Sequence, residues 1–125
     1  MHGTHTIAIA ANDINPAHCA MTHCDNCSLV IRRLTLPPGG STGWHYHPGY
    51  VFAIVEEGTL LHYGPTGELH TYQPGDTFID PAGPAYVHCA TSRPDHPVRL
   101  LTLSITPAGQ DPTIPTQPPQ GLPPE

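Results

Sequence analysis

Between residues 27 and 106 the chain is built from short apolar runs, none long enough for a helix of ordinary length, each closed by proline, glycine or both. "CSLVIRRLTL" ends on Pro37-Pro38-Gly39-Gly40, and "WHYH" ends on Pro48-Gly49. "YVFAIVEE", aromatic and β-branched, ends at Gly58, and "TLLHY" is followed by the hairpin turn "GPTGE". "LHTYQ", "TFID", "YVHCATS" and "VRLLTLSIT" complete the series, separated by "PGD", "PAGPA" and "RPDHP". Runs of this length, bounded by turn residues, predict about eight strands. Eight strands at regular spacing predict an all-β barrel or jelly-roll sandwich.

Composition sharpens this picture. The 125 residues include 17 prolines and 12 glycines with only 11% charged residues, which suits short strands and tight turns. The length fits one compact domain. Residues 1–27 read as an N-terminal arm, 28–106 as the barrel and 107–125 as a tail, where seven prolines in 19 residues predict a loose or surface-clinging strap.

The formal charge is −6, with four arginines and no lysine, so no basic stripe exists for a nucleic-acid partner. Protonating all ten histidines would bring the balance to +4, which makes behaviour below neutral pH strongly pH-dependent. "MHGTHTIAIAAND" lacks a positive leader region and its apolar run is far too short for a membrane span. A cytoplasmic protein without a membrane partner is expected, with Cys19, Cys24, Cys27 and Cys89 as thiols.

Histidine placement carries the chemistry. His45 and His47 are two apart, so on a strand they project from one face with Tyr46 on the other, and two imidazoles on one face can hold a metal ion. Their surroundings are patterned too. Five residues separate Gly39 from His45, and Gly58 lies eleven residues beyond His47. After a gap of 16 residues come Gly75, five residues, Pro81, one residue, Gly83, and then a histidine-bearing segment.

These two motifs, in this order, resemble those of the cupin superfamily, and the resemblance covers roughly residues 28–106. It implies a cupin-type jelly-roll barrel, and a mononuclear site in which His45, His47 and His88 hold one divalent ion, whether Fe, Mn, Ni or Zn. Two positions depart from the family pattern. The usual glutamate ligand falls on Val51 or Phe52, neither of which can bind a metal, and Glu56 and Glu57 lie too near the closing glycine. Strict spacing would also put the third histidine at Tyr86; an insertion of two residues restores His88, and Ser92 then stands where the family often has asparagine.

The resemblance implies a small-molecule substrate and, through pairing of sheets, a homodimer. Three imidazoles without a carboxylate point to an oxygenase or a related metal-assisted reaction, with Tyr86, two residues from His88, as the catalytic acid or hydrogen-bond donor. The alternative is a non-catalytic binder or sensor in which metal is structural or absent. A metal-free isomerase using one histidine as base would need a carboxylate beside that histidine, and no such carboxylate is evident in the sequence.

The remaining histidines and cysteines carry weaker signals. His62 shares parity with Leu60, so it faces either the cavity or solvent; His70 and His96 lie in or beside turns and are expected to be solvated, and His2 and His5 belong to a frayed end. "HCAMTHCDNC" gathers His18, Cys19, His23, Cys24 and Cys27, a possible zinc or redox cluster that lacks the second, separated pair a structural zinc site normally draws on.

Overall fold

A computed structural model describes the backbone of residues 5–10 and the whole of residues 26–123. Among them are ten strands and no helix, and so none long and apolar enough to cross a membrane. In chain order they are β1 (His5–Ala10), β2 (Cys27–Leu36), β3 (His45–Tyr46), β4 (Val51–Glu57), β5 (Leu60–Tyr63), β6 (Leu69–Tyr72), β7 (Thr77–Asp80), β8 (Cys89–Ser92), β9 (Val98–Pro107) and β10 (Ile114–Pro115). Every pairing is antiparallel. One sheet runs β1-β2-β9-β4-β7, a second β6-β5-β8, and β10 pairs with β3. The all-β jelly roll expected from the punctuated apolar runs is the observed fold.

Alternation along the strands builds the interior. Leu36, Val55, Val98 and Leu100 from the larger sheet pack with Leu60 and Ala90 from the smaller one, and Leu34, Tyr72 and Phe78 close over them. The register places polar residues one or two rows away on the same inner face. Val55 pairs with Leu100, Ala53 with Thr102 and Val51 with Ser104, so β9 passes from hydrocarbon to hydroxyl while β4 stays apolar beside it. On β5 the step is shorter, from fully buried Leu60 to His62. One end of the barrel is therefore sealed by hydrocarbon and the other is lined by polar groups.

Two glycines make this geometry possible. Gly58 turns β4 into β5 at φ +80°, and a Cβ there would strike the Pro97 carbonyl oxygen. A Cβ on Gly49 would likewise strike the Ile105 carbonyl, so only glycine lets the segment between His47 and Val51 lie directly on β9.

Residues 5–10 and the described part of the tail are more structured than the sequence suggests. β1 pairs residue for residue with β2, from His5 opposite Arg33 to Ala10 opposite Ser28, so His5 opens a strand. The tail is a strap and not a loose end. Ile114 and Pro115 pair with Tyr46 and His45, Thr116 N–H donates to the Trp44 carbonyl, and the Trp44 indole N–H donates to the Pro123 carbonyl at 2.9 Å.

Candidate metal centre

His45, His47 and His88 meet at the polar end of the barrel. His45 and His88 exchange both backbone hydrogen bonds, each 2.9 Å, in an isolated antiparallel bridge, which sets their rings side by side with centroids 4.3 Å apart. His47 joins them from the same face as His45, its ring 4.9 Å from His45 and 4.8 Å from His88. All three are buried, and one ring nitrogen from each lies within 4.8 Å of the others.

The backbone fixes which nitrogen faces inward. His45 Nδ1 lies 2.8 Å from the Gly43 carbonyl, His47 Nδ1 2.8 Å from that of Pro112, and His88 Nδ1 3.0 Å from that of Tyr86. A carbonyl oxygen only accepts, so each Nδ1 carries the proton and each neutral ring presents an Nε2 lone pair. Yet His47 Nε2 and His88 Nε2 are 3.1 Å apart. Two lone pairs at that distance repel, and a cation between them, whether a proton or a metal ion, is what makes the arrangement favourable. This donor set fits a divalent transition metal, with each imidazole oriented by a backbone acceptor behind it.

A carboxylate completes the cluster, and it comes from an unexpected strand. Asp80, at the end of β7, is 4% exposed and places Oδ2 3.1 Å from His88 Nε2 and 3.5 Å from His47 Nε2. Its other oxygen, Oδ1, is 2.8 Å from Nε2 of His62, which is itself buried at 2% exposure. Burial pushes the Asp80 carboxyl up, but the surrounding imidazoles of His47, His62 and His88, with His62 Nε2–H donating to Oδ1, outweigh it and hold it well below the usual carboxylate range. Burial lowers the His45 imidazole to about 3, so His45 is neutral across the physiological range.

Asp80 and His62 are the functional residues that sequence reasoning missed or left open. His62 faces the interior, where its ring stacks on His88 at 5.2 Å, and its Nδ1 is buried without a hydrogen-bond partner. The parity of His62 with Leu60 carried part of that signal; for Asp80 no local pattern did, because its place follows from the pairing of β7 with β4. The expectation of a site with no carboxylate is thus corrected.

Tyr86 is placed differently from its expected position. Residues 86–88 are not a strand, so alternation does not carry Tyr86 to the face of His88; Tyr86 N–H instead closes a turn onto the Gly83 carbonyl at 3.1 Å. Its ring packs 5.2 Å from His88 and 6.3 Å from His62, outside the residues that line the cavity. Burial pushes its phenol up to about 12. Ser92 has a scaffolding position, donating to the Pro37 carbonyl and accepting from Gly40 N–H. His70 and His96 are exposed, as expected.

The histidine cluster opens into a cavity of about 360 Å³. Its walls are mainly hydrocarbon from Leu34, Ala53, Leu60, Phe78 and Leu100, with hydroxyls from Thr102, Ser104 and Thr113. His18, Cys19, His23 and Cys24 lie outside the described residues. Cys27 is disulfide-bonded, not a thiol, which corrects the expectation there.

Comparison with known proteins agrees with this architecture. The chain matches the family model for the cupin domain over residues 32–104, more than half its length, and belongs to the cupin family. No curated protein matches it. Among solved structures it is similar to the polyketide cyclase RemF from Streptomyces resistomycificus, at 24% identity over 70% of this chain and 60% of that one, TM-score 0.60. It is also similar to a sugar phosphate isomerase of the cupin superfamily from Silicibacter pomeroyi, at 27% identity over 66% of this chain and 60% of that one, TM-score 0.56. A cupin-like protein from Thermotoga maritima matches at 19% identity over 78% of this chain and 87% of that one, TM-score 0.62. The chain thus spans 60% of the length of the cyclase and of the isomerase.

Proposed function

We propose that this protein is a metal-dependent enzyme acting on a small organic molecule held in the cavity, with His45, His47 and His88 as ligands of one divalent ion. The observation that carries the reading is the commitment of all three Nδ1 atoms to backbone carbonyls, which leaves three Nε2 lone pairs directed at one another. When bound, such an ion supplies Lewis-acid polarisation of a substrate oxygen.

The chain's own residues favour proton transfer over oxygen chemistry in this reading. Asp80 lies within 3.1 Å of the cluster as a fixed carboxylate and is oriented from behind by His62. A carboxylate that stays ionised beside three imidazoles can take a proton only from a carbon that the ion has acidified, which suits isomerisation, elimination or cyclisation next to a carbonyl bound at the ion. The similarity to a cyclase and an isomerase supports the same class, without choosing within it. The Tyr86 phenol, protonated up to about 12, would act as a hydrogen-bond donor at the rim.

Elemental analysis of protein purified without added metal tests the proposal, expected to give about one equivalent of a divalent transition metal. Loss of that equivalent in His45→Ala, His47→Ala and His88→Ala alike is the second expectation. Retention in all three would sink it. A metal-free isomerase is the second reading, because the carboxylate it requires is present beside His62 at 2.8 Å. Activity that survives complete chelation would favour it.

A further inference from the structure

Arg32 is the only arginine among the residues that line the cavity, which include no lysine. It sits on the inner face of β2, and its Nε is buried without a hydrogen-bond partner. Two other arginines are paired at the surface: Arg33 Nε lies 2.8 Å from Glu56 and Arg99 3.3 Å from Glu57. No carboxylate among the described residues forms an ion pair with Arg32. Asp80, which shares the cavity, is engaged by His47, His62 and His88. A guanidinium donor that has lost its hydration and gained no acceptor is destabilising unless a ligand completes it.

The strand register locates this cation relative to the histidines. Asp80, Val51 and Ser104 form one row across β7, β4 and β9, while Thr102 of the next row pairs with both Ala53 and Arg32. Arg32 is therefore one inward-facing row from Asp80, about 7 Å along the strands, and three strands away, about 14 Å across them. A ligand between the two walls would meet the histidine cluster at one end and the guanidinium at the other, with Leu34, Ala53, Phe78 and Leu100 around its middle.

We propose that Arg32 anchors an anionic group, and that the molecule this cavity takes is a small organic carboxylate with an apolar or aromatic body. A guanidinium pairs with both carboxylates and phosphates in bidentate geometry. A dianionic phosphate would need further cations or converging backbone N–H groups at the Arg32 end, whereas the inner-face neighbours of Arg32 are Val30 and Leu34 on its own strand and Thr102 across from it. The contact of the ligand's far end with the histidine cluster rests on the metal reading above; the Arg32 contact does not.

The test is calorimetric titration of the full chain with benzoate, phenyl phosphate and the neutral benzyl alcohol, in chelator-treated and zinc-loaded protein, for wild type, Arg32→Gln and Arg32→Lys. Benzoate should bind the wild type, with or without zinc, and Arg32→Gln should weaken it roughly ten- to a hundredfold. Arg32→Lys should recover part of the loss, and benzyl alcohol should not distinguish the three proteins. In ligand-free protein Arg32→Gln should raise the melting temperature, because it removes a buried Nε–H that has no acceptor; a lowered one would mark Arg32 as structural and overturn the proposal. Equal benzoate affinity in wild type and Arg32→Gln, or no benzoate binding to wild type in either form, overturns it. Tighter Arg32-dependent binding of phenyl phosphate than of benzoate overturns the carboxylate assignment. If zinc fails to load while the Arg32-dependent difference persists, the metal reading fails and the anchor stands.

Discussion

Asp80 lies directly across the ladder from Val51, on the neighbouring strand of the same sheet, and both side chains are buried on the inner face. The position at which cupins usually carry a glutamate is apolar here, and a carboxylate reaches the cluster from the residue paired with it. The charge has moved one strand sideways.

Asp80→Asn should therefore weaken metal retention. It keeps the size and the hydrogen-bonding capacity towards His62 but removes the negative charge that lies 3.1 Å from His88 Nε2 and 3.5 Å from His47 Nε2. Release to a chelator should be roughly tenfold faster or more, as expected for loss of a group that supports the metal ligands. An unchanged release rate would show that Asp80 does not interact with the ion.

Val51→Glu is expected to harm the protein, although it restores the residue type usual in the family. The new carboxylate would face Asp80 across a pair of adjacent strands inside the barrel. Two buried carboxylates side by side repel, and the apolar setting adds a desolvation cost of a few kcal/mol. The melting temperature of metal-free protein should drop sharply, with partial recovery on adding a divalent ion. A variant as stable as wild type without metal would mean that residue 51 does not face the cluster.

Removing residues 111–125 should separate fold from site. The ladders between β2, β9 and β4 do not involve this segment, so a cooperative melt should remain. His47, however, loses the Pro112 carbonyl that fixes its tautomer, and Trp44 loses the Pro123 carbonyl that accepts its indole N–H. Metal retention should fall, and emission from the single tryptophan should shift to longer wavelength as water reaches it. Unchanged retention and emission would show the strap to be dispensable to the site.

The sequence made the fold legible because turn residues punctuate it and because side-chain parity along short strands is unambiguous. His45 and His47 could be assigned to one face by that parity, which left His62 open between cavity and solvent, and the flanking glycines marked the barrel. Asp80 was not legible, since its contact with the histidines depends on which strand pairs with β4, a long-range choice that local pattern does not encode. Tyr86 was misplaced for the opposite reason: alternation was applied to residues that form a turn. The tail's role was hidden because its contribution is made by backbone carbonyls, which no side-chain pattern reveals.

Acid should destabilise the metal-free protein, beginning at mild pH. Burial lowers His45 to about 3 in the folded state, whereas a histidine in the unfolded chain titrates near 6.5. Below about 6.5 the unfolded chain thus binds a proton that the folded protein refuses, and stability falls as pH drops towards 3. The slope for one such group is about 1.4 kcal/mol per pH unit within this window. Asp80 acts in the same direction lower down, because its folded carboxyl stays ionised below the roughly 3.9 at which an unfolded aspartate protonates. Between pH 7 and 9 neither group contributes a change. Melting temperatures of chelator-treated protein at pH 8, 7, 6, 5 and 4 measure the effect, and His45→Gln should reduce the slope between pH 6 and 4. A flat profile from pH 7 to 5 in the wild type would show that His45 takes up its proton in the folded state and that the neutral, lone-pair-inward cluster is wrong.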